Sequence, residues 1–111
     1  RSQINEIDFR TKKVEKEIKQ AIKLSYNQVL SLREELRLVE DEIVSNEELQ
    51  TLYREQFEFG EGDILRLIEG EERLYNSYRR KNRVETDIAR NIYTLMQNLG
   101  YMRKEFFCSS C

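Results

Sequence analysis

The stretch Gln56-Phe57-Glu58-Phe59-Gly60-Glu61-Gly62-Asp63-Ile64, "QFEFGEGDI", decides how the chain is read. It holds two of the four glycines in a sequence without proline, and two long, heavily charged segments flank it. Gly removes the penalty on left-handed backbone, so a close Gly pair between apolar-periodic segments marks a reversal of direction. Asp63 fits the N-cap of the segment that follows, because its carboxylate can accept from first-turn amides.

Outward from this turn, both segments have helical rhythm. Before it, Ile18, Ile22, Val29, Leu32, Leu36, Val39 and Ile43 recur at steps of three and four or at their sum, in a run that begins at Ile4, and Tyr53 and Phe57 rejoin it through the polar positions Asn46 and Gln50. That is the narrow seam of a coiled-coil-like helix. Two steps of four, from Val14 through Ile18 to Ile22, read as a stutter that relaxes the supercoil. Ser25, Asn46 and Gln50 make the seam partly polar. Leu24, Leu30, Leu38, Val44, Leu49 and Leu52 lie off it and widen the apolar surface beyond what one partner covers. A helix inside a three- or four-helix bundle and a helix in the wall of a helical barrel fit that pattern equally.

After the turn the stripe is Ile64, Leu67, Ile68, Leu74, Tyr75, Tyr78, Val84, Ile88, Ile92, Leu95, Met96 and Leu99. Gly100 fits the position that closes a helix. Gly70, inside the segment, costs ~1 kcal/mol relative to Ala, and is either a place of close backbone approach or a tolerated weakness. The expected fold is all-α: a long helix over 1–57, a tip over 58–63, a return helix over 64–99 and a poorly ordered tail over 100–111. At ~1.5 Å per residue the helices reach roughly 80 and 54 Å. A turn this short makes them antiparallel neighbours. The return helix then covers the first only beyond about residue 20, leaving the start of the chain to be covered by something else. With an apolar rhythm already running at its first residues, the chain is expected to be a piece of a longer protein.

Composition narrows the functions. Nineteen cations against 21 carboxylates give a net charge of -2, which argues against a general nucleic-acid binder. "YRRKNR" (Tyr78 to Arg83) is basic, but acidic residues flank it, and it reads as a solvated helix face. The chain has no His, which removes the commonest general base and a frequent metal ligand. Adjacent acids such as Glu34-Glu35 and Glu71-Glu72 point different ways on a helix and do not converge. Gly60-x-Gly62 precedes a helix but follows no strand, so it is not a phosphate loop. No enzyme, cofactor or metal site is expected. Cys108 and Cys111, in "CSSC", are two short of a zinc site and read as part of a frayed tail or as a local or intermolecular disulfide.

From the turn onward, "YREQFEFGEGDILRLIEGEERLYNSYRRKNRVETDIARNIYTLMQNLG" resembles the second repeat of the TolC-like outer membrane efflux proteins. Phe57 and Gly60 fall on the family's aromatic-x-x-Gly, and Leu65, Leu67, Ile68 and Glu69 on its helix start. Leu74, Tyr75 and Asn76 fall on its Leu-Tyr-Asn run, and Asn98, Leu99 and Gly100 on its Leu-Gly end. The run around Tyr26 is similar to the family's long helix, so the resemblance covers roughly residues 8–102. Gly70 and Arg66 depart from the usual Ala and Asp. Phe57 and Gly62 lack the polar groups that TolC-type channels use to hold the periplasmic end closed.

The resemblance implies one helical hairpin of a trimeric α-barrel in the periplasm, attached to the outer membrane of a Gram-negative cell. It implies passive export of drugs or proteins in multidrug efflux or type I secretion. The tip residues Phe57, Glu58, Phe59, Gly60, Glu61, Gly62 and Asp63 would dock a periplasmic adaptor, or membrane fusion protein, that serves an inner-membrane pump. The negative charge of Glu58, Glu61 and Asp63 would suit a basic partner, and equally suits helix capping and solubility. The alternative is a self-contained coiled-coil hairpin that joins protein partners. As a hairpin taken from a larger assembly, the isolated chain would be driven by its uncovered stripes to self-associate.

Overall fold

The computed structural model describes residues 2–107, and side chains from residue 6 to residue 103. Two helices account for almost all of it: α1 over Ser2–Glu58 and α2 over Ile64–Phe107, packed as a hairpin. The chain divides into two units. One is Leu32–Asp87, which includes the turn, and the other comprises the described parts of Arg1–Ser31 and Ile88–Cys111. Cys108 and Cys111 lie outside the described residues.

In the Leu32–Asp87 unit the inward positions of α1 are Leu32, Leu36, Val39, Ile43, Asn46, Gln50 and Tyr53, in unbroken steps of four and three. Those of α2 are Leu67, Gly70, Leu74, Ser77, Lys81 and Val84, with the same rhythm. This alternation keeps a single line of side chains facing the partner helix. The dry part is thin: Leu32, Val39, Ile43 and Val84 are the buried apolar side chains, and Val39 alone is fully enclosed. Charged residues border it. Glu42 pairs with Arg80 at 2.5 Å, Glu40 with Lys81 at 3.9 Å and Glu71 with Arg54 at 3.3 Å. Each such exposed pair contributes ~0.2–1 kcal/mol, so they orient the helices more than they hold them.

In the other unit the α1 line continues through Ile18, Ile22, Ser25 and Val29, opposite Ile88, Asn91, Leu95, Asn98 and Met102 on α2. The expected stutter is absent. Glu15 takes the half-buried position and Val14 stays 38% exposed, so the steps of three and four are preserved. A Glu stem can lie along the seam with its carboxylate in water.

α2 runs eight residues past the expected close at Leu99, with Gly100 inside it. Among the described glycines only Gly60 has positive φ. Gly100 therefore lacks the left-handed conformation that ends a helix, and no proline follows to stop it. The longer α2 accounts for burial on α1 beginning near Glu15 rather than near residue 20. Residues 6–14 are all exposed, as the length mismatch requires.

The predicted stripe of α2 is corrected in part. Ile64, Ile68, Tyr75, Tyr78, Met96 and Leu99 are exposed, while Gly70 and Ser77 take inward places. On α1, Leu24, Leu30, Leu38, Val44 and Leu52 are also exposed, and Leu49 is half-buried. Each helix thus carries apolar side chains that its partner does not cover.

Candidate interaction surface at the hairpin turn

The turn is built by two successive caps. The Glu61 amide donates to the Gln56 carbonyl at 3.0 Å, and the Gly60 amide to the Phe57 carbonyl at 3.0 Å. These are the two reverse bonds of a Schellman close, with Gly60 at φ 75° in the left-handed position. Nothing lies within 4 Å of where a Gly60 side chain would start, so this glycine is required by conformation and not by space.

Gly62 is required for the opposite reason. A Cβ there would stand 2.6 Å from the Phe57 nitrogen, 2.8 Å from its Cα and 2.9 Å from the Gln56 carbonyl carbon. All three are backbone atoms of the last turn of α1, which cannot yield as a flexible side chain would. Asp63 then caps α2: its Oδ1 accepts from the Leu65 amide at 3.0 Å, and its carbonyl accepts from the Arg66 amide at 3.1 Å. Gly60, Gly62 and Asp63 are thereby accounted for by the turn itself.

The other predicted tip residues project outward. Phe59 is 81% exposed and Phe57 42%, and Glu58 and Glu61 are exposed without an ion pair among the described residues. Ile64, Leu65 and Ile68, from the first turns of α2, add exposed apolar surface next to them. Together they form one exposed patch of aromatic, aliphatic and acidic side chains at the end of the hairpin. An open groove of about 420 Å³ lies beside it, lined by Arg54, Leu67, Ile68, Glu71 and Glu72.

Behind the turn are two polar layers. Gln50 is buried over Gly70, and its Nε2 donates to the Leu67 carbonyl at 3.1 Å and to Glu71 Oε1 at 3.0 Å. Its Oε1 has no partner. Four residues back along α1, Asn46 Nδ2 donates to Ser77 Oγ at 2.9 Å, and that hydroxyl donates to the Arg73 carbonyl at 2.9 Å. The close approach expected at Gly70 is therefore made by a side chain, Gln50. Gln50 and Asn46 are legible in the sequence as polar seam positions, whereas their partners are not, because Gly70 and Ser77 carry no apolar signal.

The basic run "YRRKNR" is largely absorbed by this packing. Arg80 and Lys81 pair with carboxylates of α1, Arg79 stands 5.9 Å from the centre of the Tyr75 ring, and the Tyr78 hydroxyl donates to Glu47. That bond, more than the partial desolvation of the ring, raises the Tyr78 pKa above its ordinary 10.0. Arg37 holds the exposed Glu34 carboxyl below the usual range through a hydrogen bond and charge. Among the described residues no group of His, Cys, Asp or Glu could hold a metal, and no helix is long and apolar enough to cross a membrane. Comparison with protein-family models, with characterised proteins and with solved structures gave no match to this chain.

Proposed function

We propose that the chain is one hairpin of the periplasmic α-helical tunnel of a TolC-like outer-membrane export channel, and that its tip docks a periplasmic adaptor. In this reading the whole protein is a trimer serving an inner-membrane pump, and the hairpin conducts cargo without doing chemistry. The carrying observation is the set of apolar side chains that neither helix covers for the other: Leu38, Val44 and Leu52 on α1, and Ile68, Tyr75 and Tyr78 on α2. A stave in a tunnel wall needs such surface, because it meets further helices beyond its own partner. The aromatic-x-x-Gly turn and the Leu-Tyr-Asn run add the sequence likeness. The turn also supports docking over latching, since Phe57 has no hydroxyl and Gly62 has no room for any side chain.

The test uses Phe59→Ser with Glu58→Lys and Glu61→Lys in the intact protein, all exposed side chains that take no part in the capping bonds, which at Glu61 involve the backbone amide alone. Lost crosslinking to the adaptor and lost export, with normal outer-membrane fractionation, is the expected result. Normal crosslinking and export would remove the docking role, and absence from the outer membrane would remove the channel reading.

One observation favours the self-contained coiled-coil hairpin. The pairs Glu42–Arg80, Glu40–Lys81 and Arg54–Glu71 close the border of the seam within one chain. Under that reading the isolated chain unfolds cooperatively with a midpoint independent of concentration.

A further inference from the structure

Charge is segregated between the two units. Residues 1–31 and 88–111 carry ten cations against five carboxylates, whereas residues 32–87 carry nine against sixteen. The balances are therefore +5 and -7, hidden inside a chain total of -2.

The excess positive charge is arranged as a line. Phe9, Lys12, Lys16, Lys19, Lys23, Tyr26 and Leu30 follow one another on α1 at alternating steps of three and four, and all are exposed. That spacing holds side chains along one edge of a helix. Lys12 pairs with Asp8 at 3.6 Å, while Lys16, Lys19 and Lys23 have no carboxylate partner among the described residues. Their stems wall an open groove of about 440 Å³ with Glu15 and Gln20.

The excess negative charge forms the complementary line in the other unit. Glu34, Asp41, Glu48 and Glu55 stand seven residues apart on the outer face of α1, alternating with Leu38, Ser45 and Leu52 and followed by Phe59 in the turn. All of these are exposed. Glu34 and Asp41 share Arg37, but Glu48 and Glu55 have no ion pair among the described residues. The separation of Glu48 from Glu55 is the same ~10.5 Å heptad that separates Lys16 from Lys23. Each line also carries apolar side chains beyond its charges: Tyr26 and Leu30 on one, Leu52 and Phe59 on the other.

We infer that the lysine line of α1 is a docking surface for a second copy of this chain, seated on that copy's Glu48–Glu55 line. Matching heptads put two cations opposite two carboxylates along one helix–helix contact, and the flanking apolar residues exclude water from the pairs. A helical partner fits the regular alternation of three and four over Phe9 to Leu30 better than a phosphate chain does. A nucleic-acid strand would call for a groove and a stacking platform rather than a single convex line. A lipid surface would call for an apolar face bordered by lysines, not a lysine line capped by aromatics. The inference does not rest on the tunnel reading, whose test concerns adaptor and membrane.

The test is sedimentation velocity on the purified chain at low salt and at about 1 M salt, where the screening length falls to ~3 Å. Two charge-reversed variants are compared, Lys16→Glu/Lys19→Glu/Lys23→Glu and Glu48→Lys/Glu55→Lys, with helix content checked by circular dichroism. The native chain is expected to associate at least about tenfold more weakly in high salt, and each variant about as weakly at low salt. An equal mixture of the two variants restores association. Association indifferent to salt and to both reversals overturns the inference, as does a mixture that stays apart. Lysine-dependent binding to anionic vesicles or to an oligonucleotide, with self-association unchanged, overturns it in favour of that polyanion.

Discussion

Gln50 of α1 lies over Gly70 of α2, with its side-chain amide in the space that a Cβ on residue 70 would take. A Cβ on residue 70 would overlap Gln50 Oε1 and stand 2.9 Å from its Cδ. The glycine is thus the receptor for a buried amide that bonds the Leu67 carbonyl and the Glu71 carboxylate.

Gly70→Ala tests this. Ala gains ~1 kcal/mol of helix propensity. Displacing Gln50 forfeits two hydrogen bonds, one of them to a charged group, which together outweigh that gain at ~1–3 kcal/mol. The expected net loss is ~1 kcal/mol in urea unfolding. Adding Gln50→Ala removes both the clash and the unpaired Oε1, so the double variant should be at least as stable as Gln50→Ala alone. A cycle showing simple additivity would count against the coupling.

The two tip glycines should differ on alanine substitution. Gly60→Ala places a side chain in left-handed backbone with open space around it, at a cost of ~1–2 kcal/mol. Gly60→Asn should recover part of this. Gly62→Ala drives a Cβ into the backbone of Phe57 and Gln56, and should cost more and disturb the turn itself. Thermal melts rank the three variants. Equal losses at the two positions would contradict the geometry.

Neighbouring residues on α1 separate the covered face from the uncovered one. Val39 is fully buried, whereas Leu38 is 53% exposed. Val39→Ala should cost ~2 kcal/mol in the isolated chain. Leu38→Ala should cost under ~0.5 kcal/mol, the usual range for surface changes. Under the tunnel reading proposed above, Leu38 contacts a further helix, and its cost should rise in the assembled channel and not in the isolated chain. Chemical denaturation of both forms makes the comparison.

Two exposed titrations have defined signs. Tyr78 has a raised pKa in the folded chain, so its contribution is present below pH 10.0 and is lost as pH rises through the higher folded value. Absorbance titration should show Tyr78 ionising late, and Tyr78→Phe should remove that late step. Glu34 is depressed by Arg37, so its contribution is present above pH 4.5 and is lost as pH falls through the lower value. Arg37→Gln should return the Glu34 carboxyl, followed by NMR, to its ordinary range.

What the sequence determined alone is what depends on short-range order. Steps of three and four fixed two helices and the seam of α1, because a helix repeats every 3.6 residues whatever surrounds it. Gly60, Gly62 and Asp63 fixed where the chain turns, through backbone conformation and capping. Tertiary structure decided which side of α2 faces inward. Apolarity pointed to Tyr75, Tyr78 and Met96, yet the inward places went to Gly70 and Ser77, where small side chains admit Gln50 and Asn46. It also decided the length of α2, since Gly100 ends a helix only when its backbone turns left-handed, and here it does not. A side chain's apolar character states that it can be buried. Whether it is buried depends on the shape of the surface brought against it.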